Sequence, residues 1–318
     1  MVAQLKRFFK IIKESKLKPF FFIGITVLVM TYLLINERQT LSTYLTQIRY
    51  DFFFYGVILH LLAMCVQILG WNSAVTAITH QSNIFQNARV YSVSLVSRRI
   101  PFGQIWSTST KFALYENTLS VKNISIATVL EHVLIGCSGI TLLVFLLIYK
   151  PIPLNFNSPS HYIFLLIAIV FVILILVFFF YKRLIQSIKK WVKENMQFSM
   201  RDVWSGYLLF LLTWILDSFS FYFWVRSIVE VDFSAIDLVV ICTLSSLASF
   251  FGQFLPLNTA LKEITMVTML TQLLPLPVSI VVSLVNRVAQ TVIEIILAIF
   301  FYFFLVKGDK PAVIQKKY

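Results

Sequence analysis

The chain has 318 residues, of which 58% are hydrophobic and 13% are charged, and its formal net charge is +13. A soluble domain carries about 25% charged residues, so this composition predicts an all-α, polytopic membrane protein with small loops. It excludes a nucleic-acid-binding protein, because the basic residues flank apolar segments rather than form a folded basic face. The three cysteines and four histidines are scattered without ligand spacing, so we expect no disulfide, metal or cofactor.

The first half of the chain, residues 1–150, is predicted to contain three membrane spans and one interrupted segment. A basic tail precedes span one, at about 19–35, and no cleavage site follows it, so we expect an uncleaved span. Span two covers about 52–78, and span three about 124–149. Between them, about 88–116, two short runs flank Pro101 and Gly103. Each run is shorter than the roughly 20 residues of a crossing, which predicts a re-entrant helical hairpin.

The second half, residues 160–306, repeats this order. Span four, at about 162–181, is followed by a strongly basic loop, and span five covers about 204–225. A second hairpin is predicted at about 237–274, where Gly252, Pro256 and Asn258 interrupt two apolar runs. Span six covers about 278–305. Broken helices of this kind are where transporters bind their substrates.

The distribution of basic residues predicts the topology of a single membrane domain, residues 1–318. Lys and Arg concentrate in the N-terminal tail, the loop at 182–202 and the C-terminal tail, which places both termini in the cytoplasm. Each half then crosses the membrane three times, so the two halves have opposite orientations. Pro101 precedes His132 by 31 residues, and Pro256 precedes Arg287 by the same spacing. We therefore predict six spans and two hairpins arranged as inverted halves.

Charged residues inside the predicted spans and hairpins are the candidates for substrate binding, because each costs at least about 2.5–3.5 kcal/mol at the bilayer centre. Arg98 and Arg99 either hold an anionic group such as a lipid phosphate or extend to interfacial water. Lys262 and Glu263 open the returning helix, where Glu263 either caps the helix or acts as a gate or proton-linked carboxylate. The full set is Arg98, Arg99, Lys111, Glu131, Lys262, Glu263 and Arg287.

A second set of residues is predicted to pair with these charges or to gate a path. Arg287 and Glu131 either bind a headgroup or form buried pairs, with each other or with Glu263 and Asp217. The gating or pairing set is Asp217, His132, Glu294, Pro101, Trp106, Pro256 and Asn258. No nucleophile–base–acid set, metal cluster or nucleotide-binding loop is present, so we predict no catalytic residue and no enzyme.

Several short motifs lie at the breaks and inside the spans. They are Arg99-Ile-Pro-Phe-Gly-Gln-Ile-Trp106, Lys111, the run Ala127 to His132, Pro256 to Glu263, and Asn286-Arg287. Together they resemble the membrane region of lysylphosphatidylglycerol synthases, a family of flippase-like bacterial membrane proteins, over about residues 10–305. A Pro-Gly-Gly-x-Gly-x-x-Glu signature of that family keeps its two ends here, as Pro256 and Glu263, while other residues stand at its glycine positions.

The resemblance implies a protein of the bacterial cytoplasmic membrane that moves a lipid or lipid-linked headgroup between leaflets. The synthases add a soluble aminoacyltransferase domain, whereas this chain stops at Tyr318, so we expect it not to make lysyl-lipid. The expected partners are membrane lipids and a lipid-linked substrate, and a homodimer or an envelope-biosynthesis partner remains open. Two alternatives are a non-catalytic partner of glycosyltransferases in polysaccharide assembly and an intramembrane enzyme that uses Glu263 or Asp217 as acid or base.

Overall fold

The computed structural model of the chain describes residues 46, 48–99, 103–116, 118–149, 199–230, 234–253 and 258–303. Within these ranges the backbone forms helices and no strand, which confirms the predicted all-α class. The eight helices are α1 (Tyr50–Thr79), α2 (Ile84–Ser97), α3 (Gly103–Tyr115), α4 (Val121–Tyr149), α5 (Met200–Ile228), α6 (Ala235–Gly252), α7 (Asn258–Leu270) and α8 (Leu276–Phe303).

Five of these helices, α1, α4, α5, α6 and α8, are long and apolar enough to cross a membrane. The chain is therefore a multi-pass membrane protein. Helices α1, α4, α5 and α8 correspond to predicted spans two, three, five and six, and their ends lie within a few residues of the predicted ones. Predicted spans one and four lie outside the described residues.

The two predicted hairpins correspond to consecutive helix pairs, α2–α3 and α6–α7. Asn83 caps α2, because its side-chain oxygen accepts a hydrogen bond from the Gln86 backbone N–H at 3.1 Å. Pro101 and Pro256 lie outside the described residues, as does the side chain of Asn258, whose backbone begins α7. Since α6 alone reaches the length of a span, the re-entrant course of the pairs stays a prediction.

Helices α1 and α5 pack along their whole lengths and run antiparallel. The Arg49 backbone N–H donates to the Ser227 carbonyl at 2.9 Å, at the start of α1 and the end of α5. At the opposite ends, the Ser199 N–H donates to the Ala77 carbonyl at 3.1 Å. An antiparallel pair, one helix from each half, is the arrangement that inverted halves require.

The two halves also repeat each other in detail. Gly56 is the seventh residue of α1 and Gly206 the seventh of α5, both are buried, and the buried positions that follow recur in nearly the same order. Helix α8 packs against α2, and α4 packs against α6, so each helix pair contacts the last helix of the other half. These contacts interlock the halves around the α1–α5 pair.

The outer surface of the described helices is strongly apolar. Phe145, Ile148 and Phe303 are 65%, 78% and 64% exposed, respectively. Charged side chains such as Lys111 and Glu131 are fully buried instead. This inversion of the usual soluble pattern fits lipid as the solvent, because lipid takes apolar side chains readily and excludes unpaired charge.

Candidate functional site: a polar cavity between the two halves

A cavity of about 240 Å³ lies between the halves, and every one of the eight described helices contributes to its wall. Its lining contains many charged and polar residues for a membrane interior, where such residues mark substrate or ion paths. The lining residues are His60, Met64, Gln67, Leu95, Arg98, Arg99, Gln104, His132, Ile135, Phe210, Thr213, Trp214, Asp217, Ser246, Ser249, Phe250, Gln253, Lys262, Gln290 and Glu294.

A buried group of three charged side chains lies at one side of the cavity, with Arg98 in the cavity wall. The Arg98 guanidinium lies 2.6 Å from one Glu131 carboxylate oxygen, and the Lys111 ammonium contacts the other oxygen. Arg98 Nε also donates to the Ser107 hydroxyl at 3.3 Å. Arg98 follows α2, Lys111 lies on α3 and Glu131 on α4, so this group ties three helices of the first half together. Two cations share one carboxylate, which leaves a net positive charge.

Two aromatic rings lie against the Lys111 ammonium. Its nitrogen lies 3.7 Å from the centroid of the Trp71 ring and 5.2 Å from that of Tyr91, within cation–π distance. The Trp71 indole N–H donates to the Tyr115 hydroxyl at 3.1 Å, and that hydroxyl donates to Asn87. Lys111 and its partners are shielded from solvent, so this part of the network holds the first half together.

A second ion pair joins the two halves. Arg99 forms a two-pronged contact with Glu294 on α8, with Nε 2.7 Å from one oxygen and a terminal nitrogen 2.5 Å from the other. Such bidentate geometry fixes both orientation and distance. Arg99 and Glu294 both line the cavity, so this pair is part of its wall.

A third ion pair lies within the second half, away from the cavity wall. The Arg287 guanidinium on α8 is 2.7 Å from Glu263 on α7, and both side chains are less than a fifth exposed. The other Glu263 carboxylate oxygen has no hydrogen-bond partner among the described residues. The pair therefore joins α7 to α8.

A chain of hydrogen bonds crosses the cavity wall between α1, α5, α8 and α7. His60 Nδ1 lies 2.7 Å from an Asp217 carboxylate oxygen. The Gln290 amide donates to the same oxygen at 3.3 Å, and Lys262 donates to the Gln290 carbonyl oxygen at 3.2 Å. Within the described residues, no carboxylate lies at ion-pair distance from Lys262.

The structure brings together part of the predicted set. Of the predicted substrate-binding residues, Arg98, Arg99 and Lys262 line the cavity, as do Asp217, His132 and Glu294 from the gating or pairing set. The lining does not include the other predicted binding residues, Lys111, Glu131, Glu263 and Arg287. Trp106, on α3, is 44% exposed. The role of each residue in binding or gating stays a prediction.

Several polar residues of the cavity wall were not singled out from the sequence. Those with the largest polar side chains include His60, Gln67, Gln104 and Gln290. The sequence did carry a signal for two of them, because His60 and Gln67 stand alone among apolar residues in the middle of a span, where a polar side chain indicates function. Gln290 is four residues before Glu294 and therefore shares its helix face.

The fold and the cavity define a class: a multi-pass, all-helical membrane protein with interlocked halves and an internal polar cavity. Within that class, the chain belongs to the family described as the lysylphosphatidylglycerol synthase TM region, whose model matches residues 21–298. The match confirms the family that the motifs indicated. Comparison with curated proteins found no match, and comparison with solved structures found none.

Proposed function

We propose that this protein is a lipid translocase that moves an anionic phospholipid or a polyprenyl-phosphate-linked saccharide between leaflets. The strongest support is the central cavity, whose wall includes Arg98, Arg99 and Lys262. These three cations lie in the interior of a membrane-embedded chain. A phosphate group needs such donors when it leaves water, because an isolated anion in a low-dielectric medium is strongly unfavourable.

The size of the cavity favours a headgroup as its occupant. Drug-sized ligands occupy pockets of about 300–1,000 Å³. At about 240 Å³, the cavity accommodates a phosphate with a small polar substituent and has no room for acyl or polyprenyl chains. The chains would remain in the bilayer while the headgroup passes through the protein, so that only the polar part needs a protein environment.

The charge on the wall favours an anion. Arg99 is matched by Glu294, but Arg98 and Lys111 together face one carboxylate, and Lys262 has an amide as its hydrogen-bond partner. Lys262 can therefore bind a phosphate without abandoning a carboxylate partner. We assign it as the primary ligand of the headgroup phosphate, with Arg98 and Arg99 completing the site.

Lys262→Gln tests this assignment with little structural damage, because glutamine can still donate to Gln290. The measurement is transfer of labelled phosphatidylglycerol between leaflets of proteoliposomes. Losing a hydrogen bond to a charged group costs about 1.5–3 kcal/mol, so the initial rate at limiting lipid should fall about tenfold or more. The matched control is Lys122→Gln, which removes an exposed charge at the start of α4.

The control should transfer lipid at the wild-type rate. Equal rates for wild type and Lys262→Gln would contradict the assignment of Lys262. A wild-type rate no higher than that of empty liposomes, for both an anionic phospholipid and a polyprenyl phosphate, would contradict lipid translocation itself.

A further inference from the structure

We infer that His60 and Asp217 form a proton-binding site that sets the charge of the central cavity. The inference rests on the proposed function for its link to lipid, whereas the proton site itself can be tested without transport. His60 is on α1 and Asp217 on α5, so the pair bridges the two halves at their longest contact.

The geometry leaves one imidazole nitrogen available for a proton. His60 Nδ1 lies 2.7 Å from the Asp217 carboxylate, a distance at which Nδ1–H donates to the carboxylate oxygen. His60 Nε2 is buried and has no hydrogen-bond partner among the described residues. The His60 side chain is only 2% exposed, yet the residue lines the cavity. A neutral imidazole held in this way presents an unshared electron pair at Nε2.

The other buried carboxylates of the described residues have partners of a different kind. Glu131, Glu263 and Glu294 each contact an arginine or a lysine, and arginine stays charged across the accessible pH range. Asp217 is paired with histidine, which exists both as a neutral imidazole and as an imidazolium. Among the ion pairs of the described residues around the cavity, this is the one with a histidine partner.

The internal repeat offers two equivalent places for such a pair, and only one of them holds it among the described residues. By position in the repeated helices, Phe210 on α5 corresponds to His60, and Gln67 on α1 corresponds to Asp217. Both of these residues also line the cavity. Neither can titrate, so at these two positions of α1 and α5 one side of the cavity carries an ionisable pair and the other does not. A structural contact needed by both halves would be expected on both sides.

Other charged and titratable groups face the pair from each neighbouring helix. Those with a direct electrostatic effect on Asp217 are His60, Lys262 from α7 and Arg99 after α2, and Cys242 on α6 lies close enough to feel the Asp217 charge. Glu294 on α8 and His132 on α4 line the same cavity. His132 Nδ1 lies 2.5 Å from the Thr128 carbonyl, so its nearest polar partner is neutral.

The proton enters from water in the cavity and bonds to His60 Nε2. The pair then changes from one net negative charge, neutral imidazole with carboxylate, to zero, imidazolium with carboxylate. The charge of the cavity becomes more positive by one elementary charge. At the effective dielectric constant of a protein interior, this change tightens binding of an anionic headgroup on the order of tenfold or more. By linkage, a bound headgroup draws in the proton to the same extent. A proton gradient would therefore bias binding towards the acidic side of the membrane.

Two isosteric variants separate the charge states. His60→Gln keeps the pair permanently negative, so labelled phosphatidylglycerol should bind weakly in nanodiscs at all values from about pH 5 to about pH 8. Asp217→Asn removes the negative charge and should bind tightly over the same range. The wild type should lose affinity on the order of tenfold as the pH rises. The control is His80→Asn, which changes a histidine outside the cavity and should behave as wild type.

Proton binding is measured separately by nitrogen-15 NMR of histidine-labelled protein in nanodiscs, with His60→Gln identifying the His60 signal. We expect that signal to move with pH and to respond differently to pH in Asp217→Asn. A His60 signal that ignores pH, or one that Asp217→Asn leaves unchanged, would overturn the proton site. A His60 signal that titrates as expected in protein that binds no lipid supports the proton site and instead defeats the proposed function.

Discussion

Replacing Glu131 by glutamine should severely destabilise the protein, because this carboxylate neutralises two cations at once. Lys111 and Glu131 are both fully buried, and the Arg98 side chain is 23% exposed. Glu131→Gln preserves the shape of the side chain and removes its charge. The lysine ammonium is then left in the interior with an amide oxygen and the Trp71 ring as its partners.

The magnitude follows from the stranded charge. Removing one partner of a buried ion pair costs about 3–5 kcal/mol. The amide oxygen keeps one hydrogen bond, so we expect a loss of about 3 kcal/mol in the free energy of unfolding. Glu131→Gln/Lys111→Met removes the stranded ammonium as well and should recover about 1–3 kcal/mol, because Arg98 can turn towards the cavity.

The assay is equilibrium denaturation in mixed detergent micelles, followed by tryptophan fluorescence. Glu230→Gln is the matched control, since Glu230 is 82% exposed, and it should unfold as the wild type does. Glu131→Gln with wild-type stability would refute the reasoning. A double variant as unstable as Glu131→Gln alone would show that the stranded lysine is not the source of the loss.

Two further predictions concern the helix pairs. A Cβ added at Gly103 would lie 2.1 Å from the Arg98 backbone oxygen, so Gly103→Ala must displace the backbone near Arg98. We expect this variant to lose about 1–3 kcal/mol of unfolding free energy in the same denaturation assay. Unchanged stability would contradict this close approach. Arg287→Gln leaves Glu263 without its cation, so adding Glu263→Gln should restore about 1–3 kcal/mol. Equal stability of the single and double variants would mean that this pair contributes nothing.

The helices themselves were largely predictable from the sequence. Hydropathy over about 20 residues places spans such as 52–78 and 204–225, which the structure describes as Tyr50–Thr79 and Met200–Ile228. Both breaks were found from Pro and Gly between short apolar runs, since these residues interrupt helical hydrogen bonding. The family was recognisable from short motifs at those breaks and within spans three and six, and the family match confirms it.

The partners of the buried charges were not predictable in the same way. The sequence showed that Arg99, Glu294 and Asp217 needed neutralising, but Arg99 and Glu294 are 195 residues apart and His60 and Asp217 are 157 apart. Which charges meet depends on how α8 packs against α2 and α1 against α5. That packing is set by the shapes of many side chains in contact. The hydrophobic periodicity of a single sequence does not reveal which helices will meet.

The close fit between α1 and α5 restricts how the protein can move. A Cβ added at Gly56 would lie 2.5 Å from Trp224 Nε1, and one at Gly70 would lie 2.9 Å from the Phe210 ring. Because the two glycines have no side chain, aromatic rings of the opposite helix pack directly against their backbone. Sliding or rolling of one helix along the other would lift both rings out together. The α1–α5 pair is therefore expected to move as one rigid unit, so that the lipid transfer proposed above would depend on movement of the shorter helices around it.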